Sequence, residues 1–550
     1  MNDLFRVRLA CGILALGTMG MLSSVCAYTL DIPAGEMSFQ YLWAGRGSML
    51  FAICGIVSIL IYSKVYVYLC RVIVLGLIFL GGIEVFWGIS QLYGLRHSNH
   101  FLYAITGSFY NPGPYSGYLA LVFPVCLYEL LRLKTIMFQK WTDRVLYYFV
   151  IGIILLICCI LPAGMSRSSW VAVLVSGLFV CGIHGSWYSS LKSMWSCQFS
   201  KVVFLIACVM IITVVGCLYM YNLKRWSADG RLFMWKISLL AVTNKPFFGN
   251  GAHSFVKIYG ETQEEYFKHK KYSEIEEFVA GSPSHAFNEY LEIAVEYGIL
   301  ILVLILLGIG YCLCKGITKR TVGLSGGIVS LMIFAFFSYP MQYPVFMVTF
   351  LMLLNVCLIG SSRANFIIIS LLIGGVGIYW ENSNTYEYDK KWLKAQKMCR
   401  TYGDEIGKEE FAKLYSMLKK SNVFLFEYGR CLNRLGEYEK STKILKEALI
   451  YNNDPMLMNI IGKNCQAQKK YVEAEKWFVR STHRLPGRIY PYYLLACLYA
   501  QPDFYKPNQL KQMATIVLTK RPKVYSKAIE EMRENIRFIL KDCKIYLSNL

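Results

Sequence analysis

The sequence predicts an all-α protein: a polytopic membrane helix bundle of about eleven spans, one large extracytoplasmic loop, and a C-terminal α-solenoid. Three observations carry that expectation. The 550 residues are 55% hydrophobic and only 17% charged, with a mean hydropathy of +0.41. Soluble domains run about 45–50% apolar and about 25% charged, so an ordinary soluble enzyme is excluded. The apolar residues are gathered in long runs, whereas residues 381–550 are polar, with 31 Lys and Arg against 19 Asp and Glu. Finally, that tail repeats itself with a period near 33 residues. Two domains follow: 1–380 in the membrane, with an outer loop over 222–290, and 381–550 outside it.

Crossing a bilayer takes about 17–25 apolar residues. Such runs fall at 9–28, 47–62, 66–91, 115–131, 145–163, 168–185, 202–221, 291–314, 322–338, 343–360 and 364–380. Arg6 and Arg8 precede the first, and Val25-Cys26-Ala27 ends it, which also gives it the outline of a signal peptide. Orientation follows from Lys and Arg in the short loops. With the N-terminus inside, the inner loops hold thirteen of them, from Arg6 to Arg363, and the outer loops only Arg46, Arg96 and Arg167. The loop over 222–290 and the tail are then extracytoplasmic.

The nineteen cysteines sit mostly inside apolar runs, among them Cys70, Cys158, Cys159 and Cys181, where they act as small lipid-compatible side chains. No CxxC or Cys/His zinc spacing occurs, and no Asp-x-Asp pair lies in an outer loop. No metal and no other cofactor is expected. In the tail, Gly429 and Gly462, Tyr438 and Tyr471, and Ala448 and Ser481 are each 33 apart. This pattern resembles the tetratricopeptide repeat, a helix–turn–helix unit with small residues where helices cross. Stacked units of this kind leave a concave surface that suits either a stabilising cap or a dock for a protein partner.

The soluble-enzyme signatures GxxxxGK[ST], GxGxxG and HExxH are missing. What remains is a set of cationic and His residues at the outer ends of spans. Arg167 stands in the turn Gly164-Met165-Ser166-Arg167-Ser168-Ser169-Trp170, where it suits either an interfacial anchor or a phosphate-binding fork. Arg231 opens an amphipathic helix read from Leu232, Trp235, Leu239 and Leu240, and Gly249-Asn250-Gly251 turns the chain after Pro246. His285 lies at the mouth of the eighth span just after Pro283. It suits a helix start, an interfacial residue or a general base. Asn288 follows it, and Glu289, Glu292 and Glu296 share one helix face.

In this order the segments TGSFYNPGPYSGYLA (106–120), SRSSW, GRLFMWKI, PFFGNGAHSF and HAFNEYLEIAVEYGI resemble the O-antigen ligase and O-antigen polymerase superfamily of envelope glycosyltransferases. The likeness covers about residues 100–360. It implies metal-independent transfer of a glycan from an undecaprenyl-diphosphate carrier to a hydroxyl acceptor outside the cytoplasmic membrane. By the resemblance, Arg167 and Arg231 bind the diphosphate, Asn288 contacts substrate, and a His near the eighth span is the base. The family His commonly stands immediately before Asn; here Phe287 does, and His285 lies two residues earlier, so His253 is the reserve candidate. Displacement at the sugar C1 by an acceptor hydroxyl inverts the anomeric centre.

Three readings remain open. One is ligation onto a lipid A-core or protein hydroxyl. Another is polymerisation of carrier-linked repeat units. The non-enzymatic reading, a polysaccharide or lipid transporter, needs ionisable groups at the bilayer midplane, for which Glu84 and Arg71 are the candidates. A nucleic-acid partner is not expected.

Overall fold

A computed structural model describes residues 66–135, 140–185, 215–216, 219, 221–269, 271–317, 321–358, 391–543 and 545. Among these residues regular structure is helical throughout, without a strand. The spans expected at 9–28, 47–62 and 364–380, and most of 202–221, lie outside the described residues, as does the boundary expected at 380/381. The chain divides into two compact units.

The first unit contains α1 (Tyr66–Leu92), α2 (Pro112–Thr135), α3 (Trp141–Ala163), α4 (Arg167–His184), α9 (Val322–Phe337) and α10 (Pro344–Leu358). Five described helices have the length and apolarity to cross a membrane: most of α1, all of α2, α3 and α4, and α8 (Glu289–Gly316). The helices α9 and α10 are apolar but shorter. Together with the apolar composition they make this a multi-pass membrane protein. Because lipid is as apolar as Leu, such helices associate through close packing and interhelical hydrogen bonds. Gly117 of α2 does this against Phe334 of α9, where an added Cβ would lie 2.4 Å from the ring. Nearby, Ser330 donates to the Ala120 carbonyl at 2.6 Å.

The second unit joins residues 224–286 and 291–302 with the tail from 387 onward. From the central segment it takes α5 (Arg225–Asn244), α6 (Phe255–His269) and α7 (Glu274–Val279). The tail supplies α11 (Asp404–Leu418), α12 (Asn422–Arg434), α13 (Tyr438–Leu449), α14 (Pro455–Ala467), α15 (Tyr471–Arg484), α16 (Ile489–Tyr499), α17 (Pro507–Thr519) and α18 (Lys527–Asp542). The 33-residue period has a direct structural counterpart. Gly429 of α12 lets Leu445 of α13 approach, and Gly462 of α14 does the same for Phe478 of α15. The turns also repeat: Gly436 (φ 77°) and Lys469 (φ 59°) are both left-handed. The next amides, Glu437 and Lys470, donate back to Leu432 and Cys465 at 3.0 and 2.8 Å, a glycine-type helix stop each time.

Within this unit the tail is bonded into the central segment. Arg480 of α15 pairs with Glu264 of α6 through two bonds of 2.8 and 3.1 Å, and Asn453 donates to the same carboxylate at 2.8 Å. Arg484 is 1% exposed. It donates to the carbonyls of Asn453 (2.8 Å) and Gly281 (3.3 Å), and to Ser282 Oγ at 3.3 Å. Leu485 lies in one apolar cluster with Phe233, Ile237, Phe255 and Tyr259. Burying a guanidinium is costly unless it is hydrogen-bonded, and here each of its three nitrogens donates to an acceptor.

Candidate functional site

In the first unit α3 and α4 are joined by a tight turn. Gly164 packs on Ser116, Met165 is left-handed (φ 49°), and Ser166 stands at the N-cap position of α4. Ser166 Oγ lies 2.8 Å from Ser169 Oγ, and Trp170 Nε1 donates to Leu161 O at 3.0 Å, which locks the turn. Arg167, half-buried, is the first residue of α4. In the same unit the run Thr106–Ser108 is held by two polar side chains of α1. Gln91 Oε1 accepts from the amides of Thr106 (2.9 Å) and Gly107 (2.8 Å). Glu84 accepts from the Ser108 amide at 3.0 Å and its hydroxyl at 2.5 Å. Arg71 is likewise paired, with Glu129, which also binds Arg132. Both charges that a transporter would use at midplane are therefore engaged in holding helices and loop together.

In the second unit α5 begins at Arg225, six residues before the start read from the sequence. Arg231 thus lies in the second turn rather than opening the helix, and it is half-buried. The stretch before it carries no apolar periodicity, which is why its helicity was not legible; Arg225 and Asp229 pair across one turn at 3.8 Å. The buried face of α5 is Phe233, Ile237, Ala241 and Val242, while Leu232 and Leu239 are exposed. Lys236 donates to Glu276 Oε1 at 2.5 Å and to Tyr266 OH at 2.7 Å, fastening α5 to α6 and α7. Those hydrogen bonds hold the lysine above its ordinary pKa.

The eighth expected span is α8, and it is broken at Gly298 (φ 83°, ψ 169°). A broken helix frees backbone groups that need new partners. Here Pro246–Gly251 supplies them: Asn250 Nδ2 donates to Val295 O at 2.9 Å, and the Gly251 amide donates to Glu296 O at 2.8 Å. The Ile299 amide in turn donates to Pro246 O at 2.8 Å. Gly298 is required twice over, because its φ is positive and a Cβ would lie 2.1 Å from the Phe247 carbonyl oxygen.

The acidic face of α8 then separates into three roles. Glu289, in the first unit, accepts from the Met341 amide at 2.8 Å. Glu292 Oε1 lies 3.0 Å from His285 Nδ1, while its Oε2 accepts from the Ala286 amide at 2.9 Å. Glu296 accepts from the Phe255 amide at 3.2 Å and from the His253 amide. His285 is half-buried and Glu292 buried, so the imidazole is oriented by a carboxylate that is itself anchored. With a proton on Nδ1 toward Glu292, Nε2 carries the lone pair a general base needs. His253 is exposed and left-handed (φ 57°), and it is its backbone, one turn of α8 further on, that is held.

Arg167 and Asn288 belong to the first unit, and Arg231, His253 and His285 to the second. Asn288 is buried, next to Phe287 (φ 50°), whose ring meets Tyr339 edge-on at 4.9 Å. Sequence reasoning placed Glu292 on a helix face without pairing it with His285. The seven-residue spacing across a break after Pro283 was the available signal. Among the described residues one sulfur–carboxylate group has metal-ligand proximity, Cys399, Asp404 and Cys431. Arg434 already pairs with both oxygens of that carboxylate, and the Cys399 thiol donates to it at 3.1 Å. Its donor set does not fit a cation.

These features define an all-helical membrane protein with a carboxylate-oriented histidine at the head of a broken helix. The family described as O-Antigen ligase matches residues 151–306, a stretch that contains Arg167, Arg231, His253, His285 and Asn288. That match supports an enzyme of lipid-linked glycan processing, of O-antigen ligase or polymerase type. No curated protein matches the chain.

Proposed function

We propose that this protein transfers a glycan from an undecaprenyl-diphosphate carrier to a hydroxyl acceptor on the periplasmic face of the inner membrane, without a metal. The observation that carries the reading is the His285–Glu292 pair inside the stretch that matches the O-antigen ligase family. His285 Nε2 takes the proton of the acceptor hydroxyl as its oxygen attacks the sugar C1. The bond from C1 to the diphosphate oxygen breaks, and the oxygen leaves with the electron pair. Arg167 and Arg231 meet the charge that develops on the diphosphate, since a guanidinium fork matches phosphate oxygens. The proton then passes from His285 to water. Glu292 holds the ring through Nδ1 and stabilises the imidazolium, and Asn288 contacts substrate. The tail, a tetratricopeptide-like domain in this reading, presents the acceptor or a protein partner.

Deleting the gene and comparing lipopolysaccharide, surface polysaccharide and glycoprotein profiles tests this. A ligase leaves carrier-linked glycan accumulating and one acceptor class unglycosylated; unchanged profiles in all three would sink the proposal. Loss of chain length alone, with single repeat units still attached, would move the protein to the polymerase reading.

A further inference from the structure

The second unit also contains a cleft of about 410 Å³ with no part in the transfer just described. One wall is α7 with Trp226 from the start of α5, and the other is the tail segments that follow α15 and α17. Backbone sets the spacing of the walls: a Cβ on Gly487 would lie 2.7 Å from the Glu277 carbonyl oxygen. Along that first wall Trp226 and Phe278 stand 4.9 Å apart, and Trp226 is 58% exposed. Four basic and two acidic side chains line the space. Lys520 is taken up by Glu277. Arg488, Arg521 and Lys523 then face Glu274, leaving a surplus of positive charge. Arg521 sits 6.0 Å above the Phe278 ring, and Lys523 donates to backbone, the Val279 and Ala280 carbonyls at 3.4 and 3.5 Å. Partial burial, and then the like charge of Arg488, hold the Lys523 ammonium below its ordinary pKa. Like charges crowded beside an exposed indole and a half-buried phenyl ring are relieved by an anion carried on a body with an apolar face.

We infer that this cleft binds an anionic sugar residue, its ring on Trp226 and Phe278 and its carboxylate or phosphate among Arg488, Arg521 and Lys523. The choice of a saccharide rests on the proposed function; the choice of an anion rests on the cleft. A volume of about 410 Å³ accommodates one or two sugar rings. Such a site selects glycans that carry an acidic residue.

Direct binding to the full chain in nanodiscs, by calorimetry, tests this without any transfer step. The probes are glucuronosyl-N-acetylglucosamine, its neutral glucosyl counterpart, glucose 6-phosphate and inorganic phosphate. At least one acidic sugar should bind about tenfold or more tighter than the neutral disaccharide, with an affinity that falls as salt rises. The tighter of the two names the source of the charge. Arg521→Gln and Lys523→Gln should each weaken that sugar about tenfold. Trp226→Ala should weaken the sugar and spare inorganic phosphate. Arg521 and Lys523 are exposed, and unchanged melting curves will confirm that their variants fold. Equal binding of acidic and neutral sugars, indifference to all three substitutions, or phosphate as tight as the sugar would each overturn the inference. Acidic-sugar binding by a wild-type chain that transfers no glycan would instead remove the proposed function and keep the cleft.

Discussion

At the scale of single residues the proposed base depends on how Glu292 divides its two oxygens. One takes the Ala286 amide, so the other is left for His285 Nδ1. In Glu292→Gln the amide oxygen must stay on Ala286, because a buried N–H without an acceptor is costly. The NH₂ group then faces Nδ1 and donates to it, which forces the proton onto Nε2 and removes the lone pair of the base. The expected outcome is that Glu292→Gln loses glycan transfer about as severely as His285→Ala, roughly 10²–10⁴-fold. Turnover by purified variants with unchanged carrier binding checks this. Full activity in His285→Ala with loss in His253→Ala would pass the base role to His253.

At the scale of elements, the break in α8 and the seam between central segment and tail hold the second unit together. Gly298→Ala places a side chain at φ 83° and against the Phe247 carbonyl. Positive φ alone costs about 1–3 kcal/mol, so melting temperature and extracted yield should both drop sharply. A variant as stable as wild type would show that the break is not built as described. The seam and the pairing of α5 with α7 inside the central segment carry a pH dependence. Burial pushes the carboxyls of Glu264 and Glu276 up, but Arg480 with Asn453, and Lys236 with Ser273 and Tyr266, outweigh it and leave both below the ordinary 4.5. A depressed folded value means the contribution is present above about 4.5 and lost as pH falls through that folded value. The full chain should therefore melt at progressively lower temperature below that pH, and Glu264→Gln should flatten the dependence.

These elements also show what a sequence discloses. The helices α1 to α4 were legible because each is a long apolar run, and the tail period was legible because Gly429 and Gly462 do the same packing job. The α8 break was hidden, since hydropathy runs straight through Gly298 and its partners come from Pro246–Gly251. The Glu264–Arg480 pair spans 216 positions and has no local signature at all. Only folding brings such residues together.

For the whole molecule, the central segment and the tail share one compact unit, so a bilayer cannot separate them. The four spans read between them, from 291–314 to 364–380, satisfy that parity. In the topology proposed from the excess of Lys and Arg in the opposite loops, both are expected outside the cytoplasm. Membrane-impermeant labelling of cysteines introduced in α7 and α18 should reach both in intact spheroplasts; labelling of one alone would break the topology.

The central claim is transfer from a lipid diphosphate, and reconstituted turnover tests it most directly. The purified chain in nanodiscs receives an undecaprenyl-diphosphate-linked glycan with a lipid A-core, a protein or a second carrier-linked glycan as acceptor. Released undecaprenyl diphosphate and a glycosylated product are expected in at least one arm, unaffected by a metal chelator. Arg167→Lys and Arg231→Lys should each lose about 2–5 kcal/mol of transition-state stabilisation, because an ammonium cannot present the bidentate fork. Full turnover by both lysine variants, or no product in any arm from a folded wild-type chain, would contradict the claim.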